Sequence, residues 1–504
     1  MAKYRTTDVA TGQGLFLTVN LKEQLIPGTF EYMLDELIGT KIDTSVFDKN
    51  YKNDLTGASA VPPTVLMKLI IYGYSKGRKS SRELATLNRH NIIAKALTGD
   101  MEIHFTTIAD FIAGNSEAFN DIFIKILLYC NELGLIGGKT FAIDGLRLPS
   151  NASIELSGTK EQLEKRLAIY RRMAEKHLAR HRRKDQQGVI DGETKRQFEK
   201  RHKQLGRQIE KISKFVEAMD QKTGYRSQEI QSNVTDNESA LIKSSKGFVQ
   251  GYIGIAVSDQ KSQVITSAQA VGTANEGEHL PELLDRNTEN LKAAGIKELE
   301  EGRKQQMLCD SNYFSEDNLA ACEARGIEAC IPDSQEKRRA DSEGNKRYEL
   351  DDFSYHEAED YYECPQGKRL EYKRTTIQEG IEGKVYQARL PDCKVCPAYA
   401  HCSWSKKAQG DQDKGKVLRI TTKHGQGSFI RTMREKQATE EFKALYAYRI
   451  QIVEPVFANI RHCKGLNRFM VRGKEKVNGQ WQLYCMVHNL GKCLNELNRR
   501  KHKI

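Results

Sequence analysis

Three carboxylates stand in settings that could do metal chemistry. Asp144 closes the apolar run Phe141-Ala142-Ile143-Asp144-Gly145, and Asp310 closes Met307-Leu308-Cys309-Asp310-Ser311. Glu454 lies in the helix-like stretch Tyr446-Ala447-Tyr448-Arg449-Ile450-Gln451-Ile452-Val453-Glu454. Two divalent cations about 3.5–4 Å apart need shared oxygen ligands from elements that meet only in the fold. Two strand-end aspartates and a later helical glutamate supply such a set, and the order Asp, Asp, Glu points to phosphodiester chemistry on DNA. With 67 acidic residues in the chain, the triplet carries weight only through its surroundings. Asp236, in Val234-Thr235-Asp236-Asn237-Glu238, is a rival read as a local cap or auxiliary contact, and Asp259 is read as a turn residue.

A second constellation is Cys364-x28-Cys393-x2-Cys396-x5-Cys402. Four thiolates around a CxxC core suit one tetrahedral, structural zinc, with His401 as a substitute ligand. Pro365-Gln366-Gly367 after Cys364 is similar to a zinc-knuckle turn. The other cysteines (Cys130, Cys309, Cys322, Cys330, Cys463, Cys485 and Cys493) show no ligand spacing and read as core thiols. Cys309 has no histidine partner that would make it a nucleophile. No GxxxxGK[ST] loop occurs, so no nucleotide cofactor is expected.

The 504 residues suffice for roughly three domains. A net charge of +12 and a pI near 9.0 favour a polyanionic partner, nucleic acid before membrane. No apolar segment follows Met1-Ala2-Lys3-Tyr4-Arg5, and the run Leu66–Tyr74 is too short to span a bilayer, so a cytoplasmic protein is expected. Eleven cysteines without a leader argue against a disulfide framework.

The elements that must position these residues follow from periodicity. Residues 1–135 read as a helical, DNA-binding domain: Val61-Pro62-Pro63 opens a helix, Ser80 caps another after Gly77-Arg78-Lys79, Asn91 to Leu97 forms a third closed by Gly99, and Thr106 to Phe111 starts a fourth. Short helices joined by basic turns suit a helix-turn-helix-like contact with DNA. Gly137-Gly138 leads into the Asp144 strand, so 136–159 and 223–334 read as a catalytic core. Between them, 160–222 holds 19 Lys+Arg against 10 Asp+Glu, and thus +9 of the chain's +12. Leu163, Leu167, Tyr170 and Ala174, then Leu205, Ile209, Ile212, Val216 and Met219, recur at spacings of four and three, which predicts an antiparallel helical hairpin interrupted at 185–192. Its basic faces could track DNA phosphates, support a dimer or be solvated only. Strands over Phe248–Val257 and Gln263–Ala268 flank a turn, followed by a helix over His279–Ala294, the Asp310 strand, a helix over Ser315–Ala324 and a strand at Glu328–Pro332. That order is the order of an α/β RNase H-like mixed sheet. Residues 335–430 read as a polar, Cys-rich, zinc-binding insertion with little clear periodicity and several short β-like pieces. Residues 431–504 carry the glutamate helix and a basic tail with Arg499, Arg500, Lys501, His502 and Lys503.

With these motifs in place, the chain resembles bacterial DDE-type insertion-sequence transposases with a Tyr-Arg-Glu-Lys signature. Tyr446, Arg449, Glu454 and Arg461 stand at the signature positions. The family spacing holds from Tyr446 to Arg449 and from Glu454 to Arg461. Four residues rather than three separate Arg449 from Glu454, and arginine replaces the lysine. Asp310-Ser311-Asn312-Tyr313-Phe314-Ser315 is similar to the family's second-aspartate motif, with Asn312 in place of glycine. Asp144-Gly145 with Asn151-Ala152-Ser153, the segment Gly465–Phe469 with Arg472-Gly473, and residues 60–111 add further likeness. The resemblance implies cleavage at transposon ends and 3′-hydroxyl transfer into target DNA. It implies two Mg²⁺ or Mn²⁺ ions on Asp144, Asp310 and Glu454, and phosphate contacts from Tyr446, Arg449 and Arg461. It also implies a homodimer on DNA, in a bacterial, nucleoid-associated setting. A metal-dependent nuclease without strand transfer, an inactive DNA-binding descendant and a zinc-organised RNA-binding protein are the competing readings; the last lacks aromatic base-stacking platforms.

Overall fold

The computed structural model describes residues 19–51, 59–187, 195–219, 222–223, 229–244, 247–296, 304–334, 348, 350–378, 381–402, 415–421 and 429–501. The chain start, residues 188–194 within the hairpin break, and His502 and Lys503 of the tail lie outside them, as does the side chain of His401.

Six helices open the fold: α1 (Phe30–Glu36), α2 (Pro63–Ser75), α3 (Ser81–His90), α4 (Ile92–Thr98), α5 (Phe105–Gly114) and α6 (Ser116–Glu132). Their ends follow local chemistry. Pro63 starts α2, where a missing N–H costs nothing. Ser80 and Glu83 form a reciprocal capping box on α3. Asn91 caps α4, and Gly99 ends it in the left-handed region at φ 64°.

The central sheet is mixed. Strand β1 (Thr140–Pro149) is followed by the short pair β2 (Ser157–Gly158) and β3 (Ser232–Asn233), which flank a long helical excursion of α7 (Lys160–Gln187) and α8 (Lys195–Ala218). Leu163 and Leu167 near the start of α7 share a small core with Ile212 and Val216 near the end of α8, so the two helices run antiparallel. Then come β4 (Ala240–Ser244), β5 (Gly247–Asp259), β6 (Ile265–Val271), α9 (Leu280–Ala293), β7 (Gln305–Leu308), α10 (Glu316–Ala324) and β8 (Ile327–Cys330). The strand order is β4-β5-β1-β7-β8, with β6 also paired to β5. β1 is antiparallel to β5 and parallel to β7, and β7 is parallel to β8. The edge strand β4 is an addition to the sequence-based expectation.

A second sheet, β9 (Ser354–His356), β10 (Tyr361–Glu363), β11 (Arg369–Gln378), β12 (Ile381–Ala388) and, after the short helices α11 (Leu390–Lys394) and α12 (Tyr399–Cys402), β13 (Val417–Thr421), is antiparallel in sequential order. It has its own core around Phe353, Tyr362, Leu370, Tyr386 and Leu418. The chain then returns to the main body through α13 (Phe429–Gln437), α14 (Glu440–Ala458) and α15 (Lys474–Lys501).

One apolar core joins the N-terminal helices, the central sheet and α15. Trp481 of α15 is fully buried, its indole N–H donates to the Ile255 carbonyl at 2.9 Å, and its ring lies over Gly254, where a Cβ would fall 2.8 Å from it. Tyr484 stacks on Tyr74 of α2 at 4.4 Å. Among the described residues, no helix is long and apolar enough to cross a membrane.

Candidate active site

The parallel pairing of β1 with β7 runs Thr140–Gln306, Phe141–Met307 and Ala142–Leu308. Asp144 and Asp310 each lie two residues beyond the last pair. Asp144 is still within β1 and Asp310 lies just past the end of β7, on neighbouring strands roughly 4.8 Å apart, and the Asp310 charge acts on Asp144. The crevice beyond the carboxyl ends of parallel strands is the usual place for chemistry in such sheets. One sequence-based expectation is corrected: Asp144 does not end its strand. β5 continues to pair with β1 as far as Pro149, and only the parallel partner β7 stops.

Asp310 caps a single turn, Ser311–Tyr313; its Oδ1 accepts from the Asn312 backbone N–H at 2.9 Å and its Oδ2 from the Asn312 side-chain amide at 3.0 Å. Asp144 accepts from the Gly145 N–H at 2.8 Å and pairs with the Arg449 guanidinium at 3.1 Å. Burial raises the Asp144 carboxyl above its usual range, Arg449 and the Gly145 N–H oppose the rise, and the Asp310 charge adds to it. Tyr446, one turn before Arg449, is half-buried, and its phenol is raised by burial, with Asp310 contributing and Arg449 opposing.

A third carboxylate that sequence reasoning missed sits here. Glu276, in the turn between β6 and α9, is 3% exposed. Its Oε1 accepts from Asn312 Nδ2 at 3.1 Å and from Arg147 at 3.3 Å, and its Oε2 is buried without a hydrogen-bond partner. Burial, then the charges of Asp310 and Asp144, push its carboxyl up to about 7. No local pattern marks Asn275-Glu276-Gly277-Glu278; the nearest signal is Gly145, where a Cβ would fall 1.8 Å from Glu276 Oε2.

Glu454 is not brought into this group. It is exposed on α14, and neither a hydrogen bond nor an ion pair ties it to either aspartate. Five residues from Arg449, it lies about 140° round the helix and about 7.5 Å along it. Pro455 inside α14 cannot donate to the Gln451 carbonyl one turn back. The Gln263 side-chain amide fills that place at 2.9 Å. Gln263, at φ 59°, is held in turn by His488, whose Nε2–H donates to its carbonyl at 2.9 Å, and by Lys492 at 2.7 Å. Arg449, expected as a phosphate contact, is instead buried against Asp144 and donates to the Ile143 carbonyl at 3.4 Å. Arg461 is exposed in the turn Asn459–Cys463 that closes α14. The rivals have structural work: Asp236 accepts from the Tyr252 hydroxyl at 2.8 Å, and Asp259 accepts from the N–H groups of Gly137, Gly138 and Lys261. Cys309 is a fully buried core thiol.

Among the described residues, no three carboxylate, imidazole or thiolate groups are closed to metal-binding distances. The charge of Asp310 adds to the rise at Asp144, and both aspartates add to the rise at Glu276, while Arg449 pairs with Asp144, Arg147 with Glu276, and the Asn312 amide bridges Glu276 and Asp310. Hard oxygen donors with one buried lone oxygen nonetheless suit Mg²⁺ or Mn²⁺.

Two family models match the chain: a transposase DDE domain over residues 363–494 and a transposase domain (DUF772) over residues 19–114. The two matches indicate an insertion-sequence DDE-type transposase. No curated protein and no solved structure matches it. The first match covers β11–β13 of the second sheet, α13, α14 with Glu454, and much of α15; the second covers α1–α5.

In the transposase these matched regions touch. Lys79, in the basic turn before α3, donates to Asn467 at 2.5 Å. Arg468 and Arg472 donate to the Ser150 and Asn151 carbonyls just past β1. Basic residues from both ends of the chain thus gather beyond the far end of the Asp144 strand.

The four expected zinc ligands also share one neighbourhood. Cys364 Sγ accepts from the Lys368 N–H and Cys393 Sγ from the Lys416 N–H, each at 3.3 Å, with Gly367 at φ 69° turning the first loop. Burial raises the Cys393 and Cys402 thiols, the latter to about 11, and the neighbouring thiols add to both shifts. A soft thiolate set receiving backbone N–H···S bonds has the chemistry of a structural zinc site.

Proposed function

We propose that the transposase cuts DNA at transposon ends and joins the freed 3′-hydroxyl to target DNA by in-line displacement at phosphorus, with Mg²⁺ or Mn²⁺ held by Asp144, Asp310 and Glu454. The observation that carries this reading is the parallel register of β1 and β7, which leaves Asp144 and Asp310 each two residues beyond its last pair, Ala142–Leu308. The strand order, with an antiparallel start and a parallel continuation, supports an RNase H-like core.

Water first displaces a 3′ oxygen from phosphorus at the transposon end. The hydroxyl so released then displaces another 3′ oxygen in the target. One P–O bond breaks for each that forms, so the joining step needs no nucleotide. Divalent cations bound there would lower the pKa of the attacking hydroxyl and carry charge on the leaving oxygen. The protein's part is to hold oxygen donors ready. Arg449 opposes the rise that burial imposes on the Asp144 carboxyl, and Asn312 donates to both oxygens of Asp310. Glu454 enters on the signature pattern and on its place in α14, and it would reach the aspartates only after α14 has turned on bound DNA. Tyr446 and Arg461 contact phosphates beside the cleaved strand. The N-terminal helices and the α7–α8 hairpin grip DNA, and two copies pair the two ends. Cys364, Cys393, Cys396 and Cys402 would hold a structural zinc that would brace the second sheet.

The test is full-length protein with end-bearing DNA, a supercoiled target and Mg²⁺, beside Asp144→Asn, Asp310→Asn and Glu454→Gln. Joined products in the wild type, lost in each variant while DNA binding persists, are expected. Nicking without joining would replace this reading by a nuclease, and binding with neither product by an inactive descendant. Joining that survives in one variant would remove that residue from the site.

A further inference from the structure

The carboxylate at position 276 has no role in the signature, yet its setting is hard to explain as packing. A carboxylate is rarely buried unless paired, because removing it from water is costly. Glu276 is buried within reach of two other carboxylates, the least favourable surroundings for a purely structural acid. Its one cation, Arg147, is itself 38% exposed and reaches Oε1 across 3.3 Å. Nothing donates to Oε2. That oxygen lies over Gly145, directly beside Asp144, in space that any side chain at 145 would fill.

The other end of Glu276 is tied to the second aspartate. The Asn312 side-chain amide donates at 3.1 Å to Glu276 Oε1 and at 3.0 Å to Asp310 Oδ2, so one side chain sets the spacing of both carboxylates. Glu276 also begins the turn that leads into α9, and the Asn318 amide donates to the next carbonyl, Gly277, at 2.9 Å and to Tyr313 at 2.9 Å. The loop carrying Glu276 and the loop carrying Asp310 are therefore locked together from two sides. Tyr313, fully buried with no partner for its hydroxyl, adjoins the same three acids.

We propose that Glu276 is a further ligand of the divalent cation bound by Asp144 and Asp310, with Oε2 as the donating oxygen and Asn312 as its positioning residue. This rests on the reading that the two aspartates form a cation site. The cation would satisfy the lone oxygen and relieve the repulsion among the three acids. Because Glu276 is already inside the site in the DNA-free chain and Glu454 is outside it, the first cation binds without DNA and without Glu454.

The experiment is Mn²⁺ titration of the full-length, DNA-free protein, with free Mn²⁺ read by electron paramagnetic resonance. Wild type and Glu454→Gln are expected to bind alike. Asp144→Asn is expected to lose binding, Glu276→Gln to weaken it by about 10–100-fold, and Asn312→Ala to weaken it less. Melting in chelator separates this from a structural role: Glu276→Gln, which removes a buried charge with little change in shape, should melt no lower than wild type. Unchanged Mn²⁺ affinity in Glu276→Gln, with binding lost in Asp144→Asn, would overturn the role of Glu276 and leave the aspartate pair standing. Unchanged affinity in both would overturn the cation site itself.

Discussion

Lowering the pH should loosen the clamp behind the glutamate helix. His488 is 3% exposed in α15, and its Nε2–H donates to the Gln263 carbonyl. Burial is the main cause that pushes its imidazole down from 6.5 to about 4, and Lys492 and Lys464 act in the same direction. A histidine held below its unfolded value favours the neutral form in the folded state. Its contribution is therefore complete above pH 6.5, falls as the pH drops through 6.5, and levels off below about 4. Over the whole window the loss is roughly 3 kcal/mol, at about 1.4 kcal/mol per pKa unit, and between pH 7.5 and 5 it is about 2 kcal/mol. The measurement is urea unfolding at a series of pH values for the wild type and His488→Gln. Glutamine retains an N–H donor for Gln263 but does not titrate, so the difference between the two curves isolates this one group from the carboxylates. The expected result is a wild-type stability that falls about 2 kcal/mol more than the variant's between pH 7.5 and 5. Parallel curves would refute the buried, neutral assignment of His488.

Two further outcomes are expected. DNA affinity should fall by about a thousandfold or more between 50 and 200 mM salt if six or more phosphates are neutralised, and Arg172→Ala with Lys176→Ala on α7 should flatten that slope. A slope unaltered by these changes would remove the hairpin from the DNA contact. Protein purified without chelator should hold about one zinc per chain, and Cys393→Ser should release it, as measured by elemental analysis. Absence of zinc from the wild-type preparation would dismiss the thiolate site.

Legibility in the sequence followed how local the cause was. Helix ends were readable wherever one side chain decides them, as with the Ser80–Glu83 box and the left-handed Gly99. The hairpin was readable because Leu163, Leu167, Ile212 and Val216 repeat at helical spacing. The second sheet was readable only as short β-like pieces, because its core is built from tyrosines such as Tyr362 and Tyr386 among charged neighbours, which blurs the alternation a strand normally shows. β4 was missed because only Ile242 of its five residues is fully buried. Asp144 and Asp310 were visible as ends of apolar runs, but what brings them together is the β1–β7 pairing across more than 160 residues. Glu276 is the extreme case: Asp144, Asn312 and Arg147 make its environment, and none is near it in the chain.

The glutamate helix shows why a correct element can still hide its working face. By hydropathy alone, α14 should bury Ile450 and expose Arg449. The structure does the reverse: Ile450 is 53% exposed and Arg449 is 9% exposed. The apolar face set by Phe442, Val453 and Val456 includes position 449, at helical spacings of four and seven, and excludes 450. Arg449 can occupy that face because Asp144 on β1 supplies the opposite charge, so the rotation of α14 depends on a residue about 300 positions earlier. The same rotation turns Glu454 outward. The pairing of Arg449 with Asp144 therefore also keeps the signature glutamate away from the aspartates. A ligand that competes with Arg449 for Asp144, as a divalent cation would, weakens the contact that fixes the helix. On the proposed reading, cation binding at the aspartates and reorientation of the glutamate helix would be coupled through this one ion pair.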